Sequence, residues 1–457
     1  MTTPASSSGA APGTAPRTPI KKVVFASLVG TAVEWYDFFL YGSAAALVFG
    51  ALFFPDQEPA AATLAAFATY AVGFAARPLG GIVFGHFGDK VGRKKMLVSA
   101  LLLMGIATFA IGLLPTYATI GIAAPVLLVF CRLLQGFAVG GEWGGAVLMA
   151  AEHGDDARRG FWSSWPQAGV PLGNLMAAAV LWVLALVQSD ATFEAWGWRI
   201  PFLLSAVLVL IGLYVRLSIE ESPVFAETKA ELEAKTEGTP TMPLVTVVKK
   251  YPREVLVAMG LRVAENVSYY IWTIVVITYL VTYLELPNSY AITGVMIGSA
   301  VQFFGIPAVG ALSDRVGRRP LYMAGAIGVG VWGFVFFPLL DTRSEVVIVL
   351  AILGGLFFHT LMYAPQAALF SELFGTSVRY SGASVGYQLA SVFAGGLAPL
   401  ISVALLGSVE ENNTYLVGIY IAVCAAISMA AVVAAKETRG SSLRHDKVVE
   451  EVAVRKG

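Results

Sequence analysis

Charged side chains are scarce in this sequence of 457 residues: they make up 13% of it, and the formal net charge is zero. Soluble domains carry roughly 25% charged residues. Apolar residues make up 57% of the chain, which together with the scarcity of charge indicates an integral membrane protein embedded in a lipid bilayer. The balanced net charge provides no general attraction to nucleic acid, so we expect no nucleic-acid partner.

Cysteine is also rare, and several catalytic signatures are missing. The two cysteines, Cys131 and Cys424, both lie in apolar runs, where they are expected to pack as small hydrophobes rather than form a disulfide or a metal site. The glycine-rich stretches are not followed by a Gly-Lys-Ser/Thr element, and neither a Gly-x-Ser-x-Gly element nor a metal-spaced His/Glu set is present. We therefore expect no enzyme activity, no cofactor and no metal.

A short string occurs twice, as GDKVGRKK at 88–95 and as SDRVGRRP at 313–320. A second pairing accompanies it: Glu152 precedes Arg159 by seven positions, and Glu372 precedes Arg379 by seven. Each string lies between long apolar runs. The sequence therefore predicts two copies of one design, with each string in a charged loop between membrane helices.

Long apolar runs predict twelve membrane-spanning helices, given that about 20 residues cross a bilayer. The predicted spans are 23–54, 61–86, 96–114, 120–151, 161–189, 199–218, 254–284, 289–312, 321–340, 346–370, 382–407 and 413–435. The first run is too long for a cleavable signal sequence. The fold class is therefore an all-α membrane protein with two six-helix halves.

Lysine and arginine concentrate in alternate loops, which the positive-inside rule places in the cytoplasm, together with both termini. We predict a bacterial plasma (inner) membrane protein. Its predicted parts are a disordered tail (1–18), a first bundle (19–218), a cytoplasmic linker (219–253), a second bundle (254–436) and a cytoplasmic tail (437–457).

Further motifs narrow down the kind of membrane protein. VEWYDFFLYG from Val33, ARPLGGIVFGHFGDKVGRKK from Ala76, RLLQGFAVGGEWGGAVL from Arg132 and VRYSGASVGYQLAS from Val378 accompany the doubled string. With the Glu-x6-Arg pairs, the chain resembles the major facilitator superfamily of secondary transporters. More narrowly, it is similar to the metabolite:proton symporters, which include shikimate, alpha-ketoglutarate, citrate and proline/betaine transporters of bacteria.

The resemblance implies two pseudo-symmetric six-helix bundles around a cavity that opens alternately to each side. It also implies a cytoplasmic gate in which the aspartate and arginine of each loop string latch the bundles together. The gate residues expected on this basis are Asp89, Arg93, Glu152, Arg159, Asp314, Arg318, Glu372 and Arg379. The alternative is that these charges only set the topology.

Two acids in the first span are expected to lie in the bilayer interior. Glu34 and Asp37 follow Lys22 by roughly 18 and 22 Å of helix, and their spacing puts them on one helix face. A carboxylate in a low-dielectric site favours its protonated form unless it is paired. We predict a proton-coupling role for both; the alternative is a structural ion pair, with Arg77 as a candidate partner for Asp37.

Other intramembrane charges extend this set. Glu142 and Glu265 are further proton-coupling candidates, whereas Arg77, Arg132 and Arg262 either hold a substrate acid group or lock the carboxylates. One cavity lined by Glu34, Asp37, Arg132, Arg262 and Glu265 is the working hypothesis. Tyr36, Tyr387 and Gln388 are added as substrate-binding candidates, while a lone helix histidine such as His359 is interpreted as structural.

The function predicted from these features is proton-coupled uptake of a small organic acid or a zwitterion such as betaine. The partners are then that solute, protons and lipid, and a monomer suffices for the mechanism. A proton-coupled exporter, an uncoupled facilitator and a non-transporting membrane sensor remain as alternatives. The intramembrane carboxylates count against the facilitator and, together with both gate strings, against the sensor.

Overall fold

The structure is a computed structural model that describes residues 19–440, except for 92, 141–146, 149, 152–153, 218–248, 250 and 375–378. Within some described helices the side chains are left out, at 85–91, 93–94, 97, 216 and 379–381. The predicted tail at 1–18 and most of the linker and C-terminal tail fall outside the described residues. So do Glu142 and Glu152, and the side chains of Asp89, Arg93 and Arg379.

Twelve long helices account for most of the described chain. They are α1 (Ile20–Phe53), α2 (Pro59–Val91), α3 (Arg93–Leu113), α4 (Ala123–Val139), α5 (Arg159–Val187), α6 (Arg199–Leu217), α7 (Pro252–Tyr283), α8 (Asn288–Val316), α9 (Arg318–Leu340), α10 (Glu345–Leu373), α11 (Arg379–Ala390, Ser391–Gly396 and Ala398–Leu406) and α12 (Thr414–Ala434). Short helices precede α4, α5 and α6 at Tyr117–Ile120, Asp156–Arg158, and Asp190–Thr192 with Phe193–Gly197.

Most of these helices are long enough to span a bilayer. In the described part of the chain, nine are sufficiently long and apolar unaided, α6 meets the short helix before it at a bend of 53°, and α3 and α4 supply shorter apolar helices. Helices satisfy their own backbone groups, which hydrocarbon requires. The predicted all-helical membrane fold is confirmed, and the chain is a multi-pass membrane protein.

The packing pattern of α1–α6 recurs six helices later. In the first half α1 packs on α5 and α6, α2 on α4, and α3 on α4 and α6. In the second half α7 packs on α11 and α12, α8 on α10, and α9 on α10 and α12. The two halves meet mainly where α5 packs against α8 and where α2 packs against α11. The functional site lies along this seam.

Glycine allows the closest of these contacts. A Cβ atom on Gly136 of α4 would collide with the Gly73 carbonyl of α2, and one on Gly160 of α5 would lie 2.6 Å from the Gly310 oxygen of α8. Between α8 and α9 the chain reverses at the single residue Gly317, whose φ of 110° an L side chain rarely adopts. We call the end of the bundle that carries 88–95 and 313–320 the motif end.

Candidate functional site: a gate, two polar networks and a buried cavity

The two halves are tied at the motif end by a buried carboxylate. Glu372 of α10 accepts from Arg159 Nη1 of α5 at 2.8 Å and from Arg318 Nη2 of α9 at 3.4 Å. All three side chains are at most 2% exposed. The second carboxylate oxygen of Glu372 accepts from the Thr438 hydroxyl at 2.5 Å. One carboxylate thus joins a residue of the first half, the second loop string and the segment after α12.

The aspartate of the second string binds a helix N-terminus across the seam. Asp314 accepts from the backbone N–H groups of Gly160 and Phe161 at 2.8 and 3.0 Å, and from Arg318 Nη1 at 2.7 Å. These N–H groups lie in the first turn of α5, where the helix dipole also favours a negative charge. The structure therefore brings together the four predicted gate residues whose side chains it describes: Arg159, Asp314, Arg318 and Glu372.

A segment outside the helices supports this gate. Glu437, just after α12, accepts from the backbone N–H groups of Arg318 and Arg319 at 3.0 Å each, which caps α9. Partial burial raises the pKa of Glu437, but the N–H groups of Arg318, Arg319, Arg439 and Thr438 outweigh that effect and hold the pKa below its usual range. Sequence reasoning missed this contact because it placed Glu437 at the start of a tail.

The first polar network lies inside the first half around Asp37. Asp37 Oδ2 accepts from the Thr108 hydroxyl at 2.8 Å, Gln135 Nε2 donates to that hydroxyl at 2.6 Å, and Arg132 Nη1 donates to Gln135 Oε1 at 2.8 Å. Asp37 and Arg132 are therefore linked by hydrogen bonds through the neutral side chains of Thr108 and Gln135, not by direct contact. Asp37 Oδ1 has no hydrogen-bond partner among the described residues.

This network accommodates both protonation states of Asp37. The Thr108 hydroxyl lies 2.8 Å from Asp37 Oδ2 and 3.0 Å from the Met104 carbonyl, and it has only one hydrogen to donate. When Asp37 is ionised, the hydroxyl donates to Asp37. When Asp37 is protonated, Asp37 donates to the hydroxyl, which then donates to Met104.

Two arginines of the first half are held by aromatic rings. The Arg132 guanidinium carbon lies 3.9 Å from the Tyr41 ring centre, and that of Arg77 lies 4.0 and 4.1 Å from the Phe38 and Phe74 ring centres. Arg77 is 1% exposed, and its Nε and Nη2 atoms donate to no described residue. The candidate pair of Arg77 with Asp37 is therefore not formed; the aromatic rings hold Arg77 instead.

The second polar network lies in the second half around Glu265. Glu265 Oε2 accepts from Arg262 Nη1 at 2.6 Å and from Gln366 Nε2 at 3.2 Å, and Oε1 lies 3.1 Å from His359 Nε2. The Arg262 guanidinium also lies over the Tyr387 ring, 3.3 Å from its centre. Sequence reasoning treated His359 as structural and did not connect Gln366 to this pair.

A small cavity of about 10 Å³ lies at the seam beside this second network. Its lining is mostly aromatic and polar: Trp35, Val170, Arg262, Glu265, Asn266, Tyr269, Tyr270, His359 and Tyr363. Towards the motif end, the contacts of Glu372 and Asp314 join the two halves. Towards the opposite end α1 meets α7, where a Cβ atom on Gly42 would collide with Ile274 and where the Phe39 and Tyr269 rings pack 5.4 Å apart.

Only some of the residues predicted to line one cavity do so. Arg262 and Glu265 line this cavity, whereas Glu34, Asp37 and Arg132 lie outside its lining. Glu34 is 5% exposed and has an interaction of its own.

Two substrate-binding candidates, Tyr36 and Gln388, make hydrogen bonds within the protein. The Tyr36 hydroxyl donates to the Pro201 carbonyl of α6 at 2.8 Å, so the Tyr36 side chain points into the first half. Gln388 Nε2 donates to the Gly140 carbonyl at 2.9 Å, which links α11 to the end of α4.

Comparison with known proteins places this arrangement in a family. The family profile described as "Sugar (and other) transporter" matches residues 22–448. The chain belongs to this family, within the major facilitator superfamily. The transporter is 42% identical to the inner membrane metabolite transport protein YhjE of Escherichia coli over 92% of its length and 95% of that protein. It is also 42% identical to the shikimate transporter of Escherichia coli, over 88% and 91%.

A further relative and a solved structure are also similar to this transporter. The proline/betaine transporter of Escherichia coli is 36% identical, over 93% of this transporter and 85% of that protein. Among solved structures, the xylose transporter XylE from E. coli, in a partially occluded inward-open conformation, matches with a TM-score of 0.71 over 93% of this chain and 99% of that one, at 20% identity. The predicted superfamily and the prediction of a transporter rather than an enzyme are confirmed.

Proposed function

We propose that this transporter takes up a small carboxylate-bearing metabolite, an organic acid or a zwitterion, together with protons by alternating access. Its motif end then faces the cytoplasm, in keeping with the positive-inside rule. The relatives named for shikimate and for proline and betaine support this class of solute.

The observation that carries proton coupling is the environment of Asp37. Its side chain is 1% exposed in the middle of α1, and its Oδ2 hydrogen-bonds a neutral hydroxyl rather than a cation. Removing a charge from water without a direct counter-ion is costly, so such a group favours its protonated form and is suited to carry a proton. The Thr108 relay stabilises both states, as a group that must bind and release a proton requires.

The observation that supports a carboxylate solute is Arg77. It is a buried guanidinium, flanked by two phenylalanine rings, with N–H groups that no described side chain or carbonyl satisfies. A guanidinium in this state binds a carboxylate with two parallel hydrogen bonds. Trp35 and Tyr270 connect it to the cavity: the Arg77 guanidinium lies 5.3 Å from the Trp35 ring centre, and Tyr270 packs on Phe74 at 5.6 Å.

The decisive experiment on proton coupling uses Asp37→Asn in proteoliposomes. We expect the variant to exchange labelled solute across the membrane but to lose accumulation driven by a pH gradient, because the site no longer binds a proton. Asp341→Asn is the matched control, since Asp341 accepts from Tyr279 at 2.6 Å at the opposite end of the second half. Full pH-driven accumulation by Asp37→Asn would refute the assignment.

The test of the solute class is a binding screen of the purified protein against shikimate, 2-oxoglutarate, benzoate and glycine betaine by thermal shift. Arg77→Lys should weaken binding of the acid that stabilises wild type by at least about tenfold, because lysine cannot form the bidentate contact. Arg253→Lys, a surface change near Ala434, is the control. Unchanged affinity in Arg77→Lys would assign Arg77 to packing.

A further inference from the structure

The second half contains a buried histidine that belongs to no assigned role. His359 of α10 is 1% exposed and lines the cavity. Its Nε2 lies 3.1 Å from Glu265 Oε1, and its Nδ1 lies 2.8 Å from Gln302 Nε2 of α8. Both ring nitrogens are thus occupied, one by an acid and one by an amide.

These partners define the protonation state. With the Gln302 amide nitrogen facing Nδ1, Nδ1 is the acceptor and Nε2 carries the hydrogen that is donated to Glu265. His359 is therefore neutral in this arrangement. Protonation would place a second hydrogen on Nδ1, facing the Gln302 N–H groups.

Gln302 is arranged to relieve that conflict. Its Oε1 is buried and has no hydrogen-bond partner in the described structure, whereas its Nε2 contacts His359, the Thr360 hydroxyl at 3.2 Å and the Leu356 carbonyl at 3.5 Å. Turning the amide over brings Oε1 to Nδ1 and lets it accept the new hydrogen. The carbonyl oxygen that lacks a partner in one state gains one in the other.

The groups around His359 also fit a change of charge. From α7, Glu265 attracts an imidazolium, Arg262 repels it, and the Tyr269 ring packs at 4.7 Å; from α10, the Tyr363 ring packs at 5.1 Å. The rings favour a cation between them. With neutral His359 the Arg262–Glu265 pair is balanced, so protonation leaves one net positive charge beside the cavity.

We propose that His359, Glu265 and Gln302 form a second proton-binding site, which operates with Asp37 and is coupled to the anion in the cavity. An anion beside His359 strengthens the binding of a proton to His359. By linkage, the bound proton strengthens the binding of the anion by the same factor. The inference rests on proton-coupled uptake as proposed above and adds its stoichiometry: two protons accompany each solute.

The first test follows the proton directly and needs no solute. The chain has four histidines, so the ¹⁵N spectrum of histidine-labelled protein is simple, and His359→Gln identifies the signal of His359. We expect that signal to change from that of the neutral ring to that of the imidazolium as the pH is lowered over the range in which the protein stays folded. Gln302→Leu, which keeps His359 but removes the turning amide, should lower its proton affinity by about tenfold or more. A histidine that stays in one neutral tautomer over this range would overturn the proposal.

The second test counts protons with radiolabelled shikimate in proteoliposomes at a clamped membrane potential. With a pH difference of one unit, two protons support accumulation of about 100-fold and one proton about tenfold. Wild type should approach the first value and His359→Gln the second, while Asp341→Asn, which lies outside the cavity lining, should match wild type. Equal accumulation by His359→Gln and wild type would overturn the second site. If neither accumulates shikimate, the proposed uptake fails for this acid, and the titration alone decides the proton site.

Discussion

The role of Glu372 in the proposed gate can be tested directly by substitution. The change Glu372→Gln keeps the shape of the side chain and its contact with Thr438 but removes the charge that Arg159 and Arg318 share. Opening the motif end must separate Arg159 of α5 from Glu372 of α10. The substitution should therefore weaken the closed state relative to the open one.

The magnitude follows from the Arg159 contact, because Arg318 and Glu372 both lie in the second half and stay together when the motif end opens. A hydrogen bond to a charged group contributes roughly 1.5–3 kcal/mol and a neutral one roughly 0.5–1.5 kcal/mol, so each contact loses about 1 kcal/mol. Arg159 retains Asp156 at 2.5 Å and Arg318 retains Asp314 at 2.7 Å, so neither cation is left without an acid. The loss of about 1 kcal/mol at the Arg159 contact therefore corresponds to a shift of about fivefold toward the open state.

The assay is the distance between spin labels on either side of the gate. Ala157 and Arg315 are exposed, flank α5 and the end of α8, and accept labels once Cys131 and Cys424 are replaced. We expect Glu372→Gln to enlarge the long-distance population. Asp156→Asn is the matched control: it removes an acid bound to the same arginine, but Asp156 is exposed and lies in the same half as Arg159, so the distances should stay as in wild type. Equal distance distributions for Glu372→Gln and wild type would refute this account of the gate.

Two further predictions concern the same end of the molecule. Gly310→Ala should hinder closure, because a Cβ atom there lies 2.7 Å from the Gly160 oxygen; spin-label distances should lengthen, whereas Gly305→Ala, which meets Thr360 at an ordinary 3.7 Å, should leave them unchanged. Glu437→Gln should lower the apparent melting temperature by removing about 0.5–1 kcal/mol of helix capping. Because the pKa of Glu437 is held below its usual range, this contribution is present above the unfolded-state pKa and is lost as the pH falls through the folded one. A wild-type advantage that persists at low pH would contradict the capping role.

The sequence predicted the helices well because the bilayer imposes a length on every span. The predicted spans 199–218 and 413–435 correspond to Arg199–Leu217 and Thr414–Ala434. The second string also predicted a contact at a helix N-terminus, which Asp314 makes with the first turn of α5 in the other half. These features depend on local composition and repeat spacing.

The polar networks depended on information that the sequence does not display. Whether Thr108 or Gln135 reaches Asp37 is decided by the rotation of α3 and α4 about their axes, and hydroxyl and amide side chains are common in apolar helices. The same holds for His359, whose partners lie 57 and 94 positions away in sequence. Two polar residues at helix spacing on α10, His359 and Gln366, were the available signal.

The central claim is that proton movement drives accumulation of a small carboxylate. The most direct test measures uptake of labelled shikimate, 2-oxoglutarate and glycine betaine into proteoliposomes with an alkaline interior and a clamped membrane potential. The account predicts that at least one solute accumulates above its external concentration, that a protonophore abolishes the accumulation, and that Asp37→Asn retains only exchange. Solute that accumulates only when the vesicle interior is acidic, as a proton exchanger would produce, or uptake that only equilibrates under either gradient, would contradict it.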